Sequence, residues 1–312
     1  MKAAVYRKYG GPEVLSLTEL EKPEPKANEL LIKVEASTVA AADARVRASD
    51  FPFFFWLPAR LIFGLFKPKK QVLGHEFSGI IEAVGQKVTQ FKVGDKVFGT
   101  TTLLRQGAYA EYLCVPEKAK NCVVAKAPKG LALKGAAAIP IGAMTALFLL
   151  EKAKLEKGQK ILIYGASGSV GTYAVQMAKN MGAQVTAVCS TANVDLVASL
   201  GAQKVIDYKK EDYSELAERY DVVFDAVGKT PKAKAKSVLK KGGSYVSIHM
   251  FTSEKTDKLI RIGQMIDKGL LKPVIDREYA FEEIVRAHRY VDTGRKKGNV
   301  LVKVNPQQKP LA

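Results

Sequence analysis

The sequence predicts an α/β fold with a doubly wound parallel sheet, preceded by a separate β-rich, barrel-like module. Three observations predict it. A short apolar run at 160–164 is followed by glycines at 165, 168 and 171, then by apolar residues at helical spacing. Further β-rich runs alternate with helical patterns as far as residue 248. Residues 1–125 carry strand-like runs separated by turn signals instead. The expected division is therefore a first domain at 1–125, completed by 275–312, and a parallel-sheet domain at 126–274.

In chain order, 14–20, 29–39, 77–85, 96–99 and 108–115 read as strands. Gly10-Gly11-Pro12, Pro23-Glu24-Pro25, Gly85-Gln86 and Val93-Gly94-Asp95 separate them. One short helix is expected near 41–48, and helical patterns cover 131–138 and 142–153. Residues 160–164 are almost wholly apolar, which suits a strand buried on both faces of a parallel sheet. The helix after the glycines runs through Val170, Ala174, Val175 and Ala178 and stops at Gly182. Strands follow at 184–188, 204–207, 221–225 and, after Gly242-Gly243, 244–248, with a helix at 193–200. Residues 257–268 and 281–292 read as helices. The run 300–304 reads as a strand that returns to the first domain.

Strand, glycine turn and helix in succession give Gly165, Gly168 and Gly171 a chemical reading. A side chain at such a turn keeps the backbone away from a pyrophosphate, and a helix N-terminus offers it N–H donors and a positive dipole end. The spacing is G-x-x-G-x-x-G, not the usual G-x-G-x-x-G, and a tight turn without a ligand is the plain alternative. The second strand ends in Cys189-Ser190-Thr191-Ala192-Asn193, with no acid. An acid there binds the ribose hydroxyls of NAD, whereas hydroxyls and an amide accept a 2′-phosphate. NADPH (or NADP+) is the expected cofactor, with Ser190, Thr191 and Asn193 as the phosphate cradle.

Hydrophobic residues make up 47% and charged residues 26%, an ordinary balance for a packed protein. Cys114, Cys122 and Cys189 suggest no disulfide framework, and no signal peptide is read before the first strand, so a cytoplasmic location is expected. The net charge of +18 comes from lysines scattered over many segments. No nucleic-acid-binding motif accompanies them, so specific nucleic-acid binding is not expected. A solvated basic surface, serving an anionic cofactor and peripheral membrane contact, is the preferred reading. Residues 51–66 are the least ordinary stretch, aromatic but interrupted by Pro52, Pro58, Arg60 and Gly64, and too short to span a bilayer. Buried packing, an apolar substrate lid, and a dimer or membrane-contact surface all remain open for it.

The order of motifs resembles the medium-chain dehydrogenase/reductase superfamily, in its zinc-free quinone oxidoreductase branch. The resemblance covers essentially the whole chain. It rests on Gly10-Gly11-Pro12-Glu13-Val14-Leu15, Gly74-His75-Glu76-Phe77-Ser78-Gly79, Val93-Gly94-Asp95-Lys96-Val97, Gly107-Ala108-Tyr109-Ala110-Glu111-Tyr112, and the turn Gly165-Ala166-Ser167-Gly168-Ser169-Val170-Gly171. It implies a GroES-like barrel followed by a Rossmann domain, with the active site in the cleft between them.

Zinc relatives carry cysteine ligands at the positions of Ala40 and Ile141. Two thiolates are thus absent, and His75 alone cannot make a three-ligand zinc site, so no metal is expected. The resemblance leaves His75, oriented by Asp43, as a cleft-lining group that contacts substrate or donates a proton; a structural histidine is the alternative. Alanine at 40 and 42 removes the hydroxyl or amide that relatives use there. Water or a cofactor hydroxyl would then protonate the product. The resemblance also assigns Thr145, Ser169 and Val170 to the cofactor, Tyr208 to the phosphate, and Ala226, Val227, Gly228, Ser247 and Ile248 to the strand ends that meet it. Lys297 and Asn299 would close over it. The implied activity is hydride transfer to quinones or to activated C=C bonds of α,β-unsaturated carbonyls, by a homodimer. A non-catalytic NADPH-binding sensor or membrane-associated adaptor is the rival from another class.

Overall fold

The computed structural model describes residues 1–305 except 121, 229, 251 and 253. In chain order it contains β1 (Lys2–Tyr6), β2 (Leu15–Glu19), β3 (Glu29–Thr38), α1 (Ala41–Ala48), α2 (Phe53–Phe63), β4 (Glu76–Val84), β5 (Lys96–Thr100), α3 (Thr102–Arg105), β6 (Tyr112–Pro116), β7 (Val123–Lys126) and α4 (Leu133–Ala136). Then come α5 (Pro140–Ala153), β8 (Lys160–Tyr164), α6 (Ser169–Asn180), β9 (Gln184–Cys189), α7 (Val194–Ser199), β10 (Lys204–Asp207), β11 (Tyr220–Asp225), α8 (Lys232–Ser237) and β12 (Leu239–Ser247). The chain closes with α9 (Thr256–Asp267), β13 (Ile275–Ala280), α10 (Ile284–Asp292) and β14 (Asn299–Lys303).

Two compact units result. One holds Met1–Pro140, Lys255–Gly263 and the segment from Ile275 on; the other holds Ile141–Glu254 and Gln264–Val274. The division thus falls at Pro140, later than residue 125, because α4 packs on β3 and β4 and belongs with them.

The first unit is built on β3, the longest strand, which pairs antiparallel with β4, β6 and β14. Register shifts at Leu31/Ile32 and Val34/Ala36 bend this strand, the device by which one strand serves several neighbours around a curved sheet. Its inward residues Leu30, Ile32 and Val34 pack with Leu73, Phe77 and Tyr109. The returning segment completes this core with Phe281, Ile284, Val300 and Val302. β14 returns to β3 as the sequence suggests, with Leu301 opposite Thr38.

The second unit is a five-stranded, all-parallel sheet in the order β10-β9-β8-β11-β12. Ile161, Leu162 and Ile163 of β8 are fully buried, as an apolar central strand demands. The strand order reverses between β8 and β11, and ligands of such sheets bind outside the carboxyl ends at that point. One expectation needs correcting. The fifth strand begins at Leu239, before Gly242-Gly243, because the pairing with β11 slips between Tyr220 and Val222 and Gly242 (φ +81°) takes up the irregularity.

The aromatic stretch forms α2, and most of it is not buried. Phe53, Phe54 and Phe66 are 89%, 93% and 89% exposed. Buried packing is excluded for these side chains; only its underside, at Ala59, Arg60 and Phe63, faces the body of the unit.

Candidate cofactor site at the carboxyl edge of the parallel sheet

The turn between β8 and α6 uses its three glycines differently. Gly165 has φ +75°, and a Cβ there would overlap Val227 Cγ2. Its N–H and that of Ala166 both donate to the Val188 carbonyl, each at 3.1 Å, tying the turn to β9. Gly171 sits where a Cβ would run into the Gly165 carbonyl oxygen, so it lets α6 close onto the turn. Gly168 is different. Its backbone is extended (φ −79°, ψ 176°), and a Cβ would meet only the Gly165 carbonyl, at 3.5 Å. The protein's own packing does not require glycine there. Gly168 is also the N-cap of α6 and brings no capping side chain; amides at a helix N-terminus are the donors that bind anionic acceptors. Gly142 of α5 packs tightly on Ser169 and Tyr173. Thr145, one turn further along α5, is nearly buried.

At the end of β9 the expected phosphate residues form a cluster. Asn193 Nδ2 donates to Ser167 Oγ at 2.9 Å and to Ser190 Oγ at 3.2 Å, and Asn193 Oδ1 is buried with no hydrogen-bond partner. Asn193 therefore organises two hydroxyls and keeps one unsatisfied acceptor. Thr191 does something the sequence did not suggest: its hydroxyl donates to Asp207 Oδ2 at 2.7 Å. That bond, with the Lys209 amide, holds the Asp207 carboxyl below its ordinary range. Asp207 lies opposite Cys189 in the sheet register, a juxtaposition that only strand pairing reveals. Tyr208, half-exposed, donates its N–H to the Cys189 carbonyl at 3.1 Å and sets its ring beside that of Tyr164.

Beyond β11, the fully buried Asp225 carboxylate accepts from the N–H groups of Val227 (3.0 Å), Gly228 (2.8 Å) and Thr230 (3.3 Å). It fixes the loop that carries Ala226, Val227 and Gly228. The Ala226 amide donates to the Tyr164 carbonyl and the Ile248 amide to the Asp225 carbonyl, so the ends of β8, β11 and β12, with Ser247, come together. His249 was not anticipated. Its Nε2 lies 2.7 Å from the Gly228 carbonyl, so the imidazole links the two loops at this edge. A lone histidine after a strand gives no sequence signal.

Asp43, His75, Lys297 and Asn299 belong to the first unit. His75 Nδ1 lies 2.8 Å from Asp43 Oδ1, both side chains being 1% exposed. Burial raises the Asp43 carboxyl, but His75 and the Ala40 amide outweigh it and leave it below its ordinary value. Asp43 thus caps α1 and orients the imidazole. Lys297 donates its N–H to Asp276 Oδ2 at 2.9 Å, and Asn299 is buried at the start of β14. Among the described residues, no three His, Cys, Asp or Glu side chains form a group able to hold a metal.

Fold and turn define a nucleotide-dependent dehydrogenase or reductase. The family model for the alcohol dehydrogenase GroES-like domain matches residues 26–129, and those for zinc-binding dehydrogenases match 169–271 and 248–302. A 2-methylene-furan-3-one reductase of Solanum lycopersicum and a chloroplastic NADPH-dependent alkenal/one oxidoreductase of Arabidopsis thaliana are each 33% identical, over 97% of this chain and 79% of theirs. The structure of the quinone oxidoreductase from Coxiella burnetii superposes with a TM-score of 0.87 at 29% identity, covering 98% of this chain and 99% of that one. The chain belongs to the medium-chain dehydrogenase/reductase superfamily, in its quinone oxidoreductase branch.

Proposed function

We propose that this protein is a zinc-independent, NADPH-dependent reductase of quinones and of the activated C=C bonds of α,β-unsaturated carbonyls. The observation that carries the reading is Gly168, the one glycine of the turn that the protein's own packing does not require, at the N-cap of α6. The bound cofactor supplies a hydride. The residues of this chain supply everything around it. The α6 N-terminus and Gly168 hold the pyrophosphate. Ser167 and Ser190, held by Asn193, would receive the 2′-phosphate. Val227, Ser247 and Ile248 would border the nicotinamide end, and Asp225 holds the loop of Val227 in place. The relatives' names, a furanone reductase and an alkenal/one oxidoreductase, support conjugated carbonyls as substrates.

Zinc independence is supported by Ala40 and Ile141, which have no ligating atom. Asp43 and His75 are read as a buried positioning pair that keeps α1 and the segment before β4 in place. A homodimer in the cytoplasm completes the reading, and three free thiols accord with a reducing compartment. The test is a paired fluorescence titration with NADPH and NADH, followed by turnover with quinones and enones after dialysis against a chelator. Saturable binding that favours NADPH, with chelator-resistant turnover, is expected. Absence of NADPH binding, or activity restored only by zinc, overturns the proposal.

A further inference from the structure

Helix α2 presents an apolar protrusion, with exposed lysines in the turn that follows it. Phe53 to Leu57 are five consecutive exposed residues, more than the 3.6 that make one helical turn. Phe53 and Phe54 stand out from the surface, while Phe55 and Trp56 lean on Phe51 and Arg60. Leu61, Ile62, Leu65 and Phe66 extend the apolar surface, and Ile62 shares a recess with Leu104, Lys69 and Lys70.

The protrusion is held in place, not left loose. The Arg60 guanidinium lies over the rings of Tyr9 at 4.0 Å and Trp56 at 5.2 Å, and donates to Ser49 Oγ and the Leu65 carbonyl. Phe63 stacks on Phe51 with centroids 5.7 Å apart, and Tyr9 donates its hydroxyl to the Gly64 carbonyl at 2.8 Å. Gly64 (φ +128°) makes the turn that follows, where a Cβ would collide with the Lys67 carbonyl. This turn delivers Lys67, Lys69 and Lys70, all exposed, beside the apolar surface. Lys69 Nζ also donates to the Leu61 carbonyl at 2.6 Å. From residue 51 to residue 75 there is no acid; Asp50 precedes the stretch and Glu76 follows it.

We propose that α2 and the 65–70 turn form a docking surface for an anionic lipid bilayer. Two observations choose lipid over a second copy of this chain. A protein partner needs a matching groove for an apolar tip, whereas Phe53 and Phe54, 89% and 93% exposed, can enter a fluid acyl phase as they stand. The exposed lysines of the 65–70 turn, in a chain of net charge +18, complement anionic headgroups and would repel another such surface. The insertion is shallow. Eleven residues span about 16 Å, roughly half the hydrocarbon thickness, and among the described residues no helix is long and apolar enough to cross a membrane. The inference does not depend on the catalytic reading.

Trp56 is the single tryptophan of the chain and sits in the protrusion, so it reports docking directly. The full-length protein is floated with vesicles of phosphatidylcholine alone or with 30% phosphatidylglycerol, while Trp56 emission is followed. Flotation with anionic vesicles, a blue shift, and weakening by salt are expected. The double variant Phe53→Ser/Phe54→Ser should lower partitioning at least tenfold. The triple variant Lys67→Gln/Lys69→Gln/Lys70→Gln should remove ~100-fold of the preference for anionic vesicles. These side chains are exposed, and unchanged melting of both variants confirms that folding is intact. No flotation at low salt, or flotation indifferent to both variants, overturns the proposal. A lipid-free blue shift that grows with protein concentration would do the same, since it would mark a second copy as the occupant.

Discussion

Replacing Gly168 by alanine separates what a glycine does for the fold from what it does for a ligand. The added methyl meets only the Gly165 carbonyl, at an ordinary 3.5 Å, and the backbone (φ −79°) is one that alanine adopts freely. The variant should therefore melt like the wild type or slightly higher, because a compatible Gly→Ala change gains ~0.5 kcal/mol from the unfolded chain. NADPH affinity should fall at least tenfold, ~1.4 kcal/mol, as the methyl occupies the approach to the pyrophosphate. Gly171→Ala is the contrasting control. Its methyl runs into a backbone carbonyl that cannot swing aside, so ~3 kcal/mol of stability should be lost. Gly165→Ala adds the ~1–2 kcal/mol of a left-handed non-glycine residue to the overlap with Val227. Thermal melting and fluorescence titration of the three variants decide the matter. If Gly168→Ala binds NADPH as tightly as the wild type, or unfolds as Gly171→Ala does, the distinction drawn among the glycines is wrong.

Ser190→Asp should depress NADPH affinity far more than NADH affinity, since a carboxylate repels the 2′-phosphate; equal losses in paired titrations would refute that role. Asp225→Asn should cost ~3 kcal/mol and weaken cofactor binding, because an amide cannot satisfy three backbone donors at once; unaltered urea unfolding would contradict this. Burial holds the His288 imidazole down at about 3, and its Nδ1 accepts from Arg47. The unfolded chain protonates near pH ~6.5, so this group's contribution is intact above that pH. It is lost at up to ~1.4 kcal/mol per pH unit as the pH falls toward about 3. Unfolding at pH 7, 6 and 5 and an imidazole titration by NMR check it; a His288 resonance titrating near neutrality would refute it.

The βα units were legible in the sequence because a buried central strand must be apolar, and the glycines and helical spacing punctuate it. In the first unit β1 to β6, β14 and α1 could be read from alternation and turn signals, whereas β7 and β13 were not. What stayed hidden depended on pairing between distant segments. Thr191 and Asp207 meet only through the β9–β10 register, and Asn193 acts as an organiser because Ser167 lies across from it. His249 acquires a partner only where two strand ends converge. The aromatic stretch stayed ambiguous in the sequence. Apolar residues signal core, lid and contact surface alike; here Arg60, Tyr9, Phe51 and Phe63 fill the underside of α2 and leave Phe53, Phe54 and Phe66 outside.

The central claim is tested most directly by following the hydride itself. NADPH deuterated at the transferable C4 position is incubated with a simple enone and chelator-treated protein, and the product is examined by mass spectrometry and NMR. One deuterium at the β-carbon, undiminished by chelation, is the predicted result. An unlabelled product, no turnover of any enone or quinone, or transfer that requires added zinc would contradict the account.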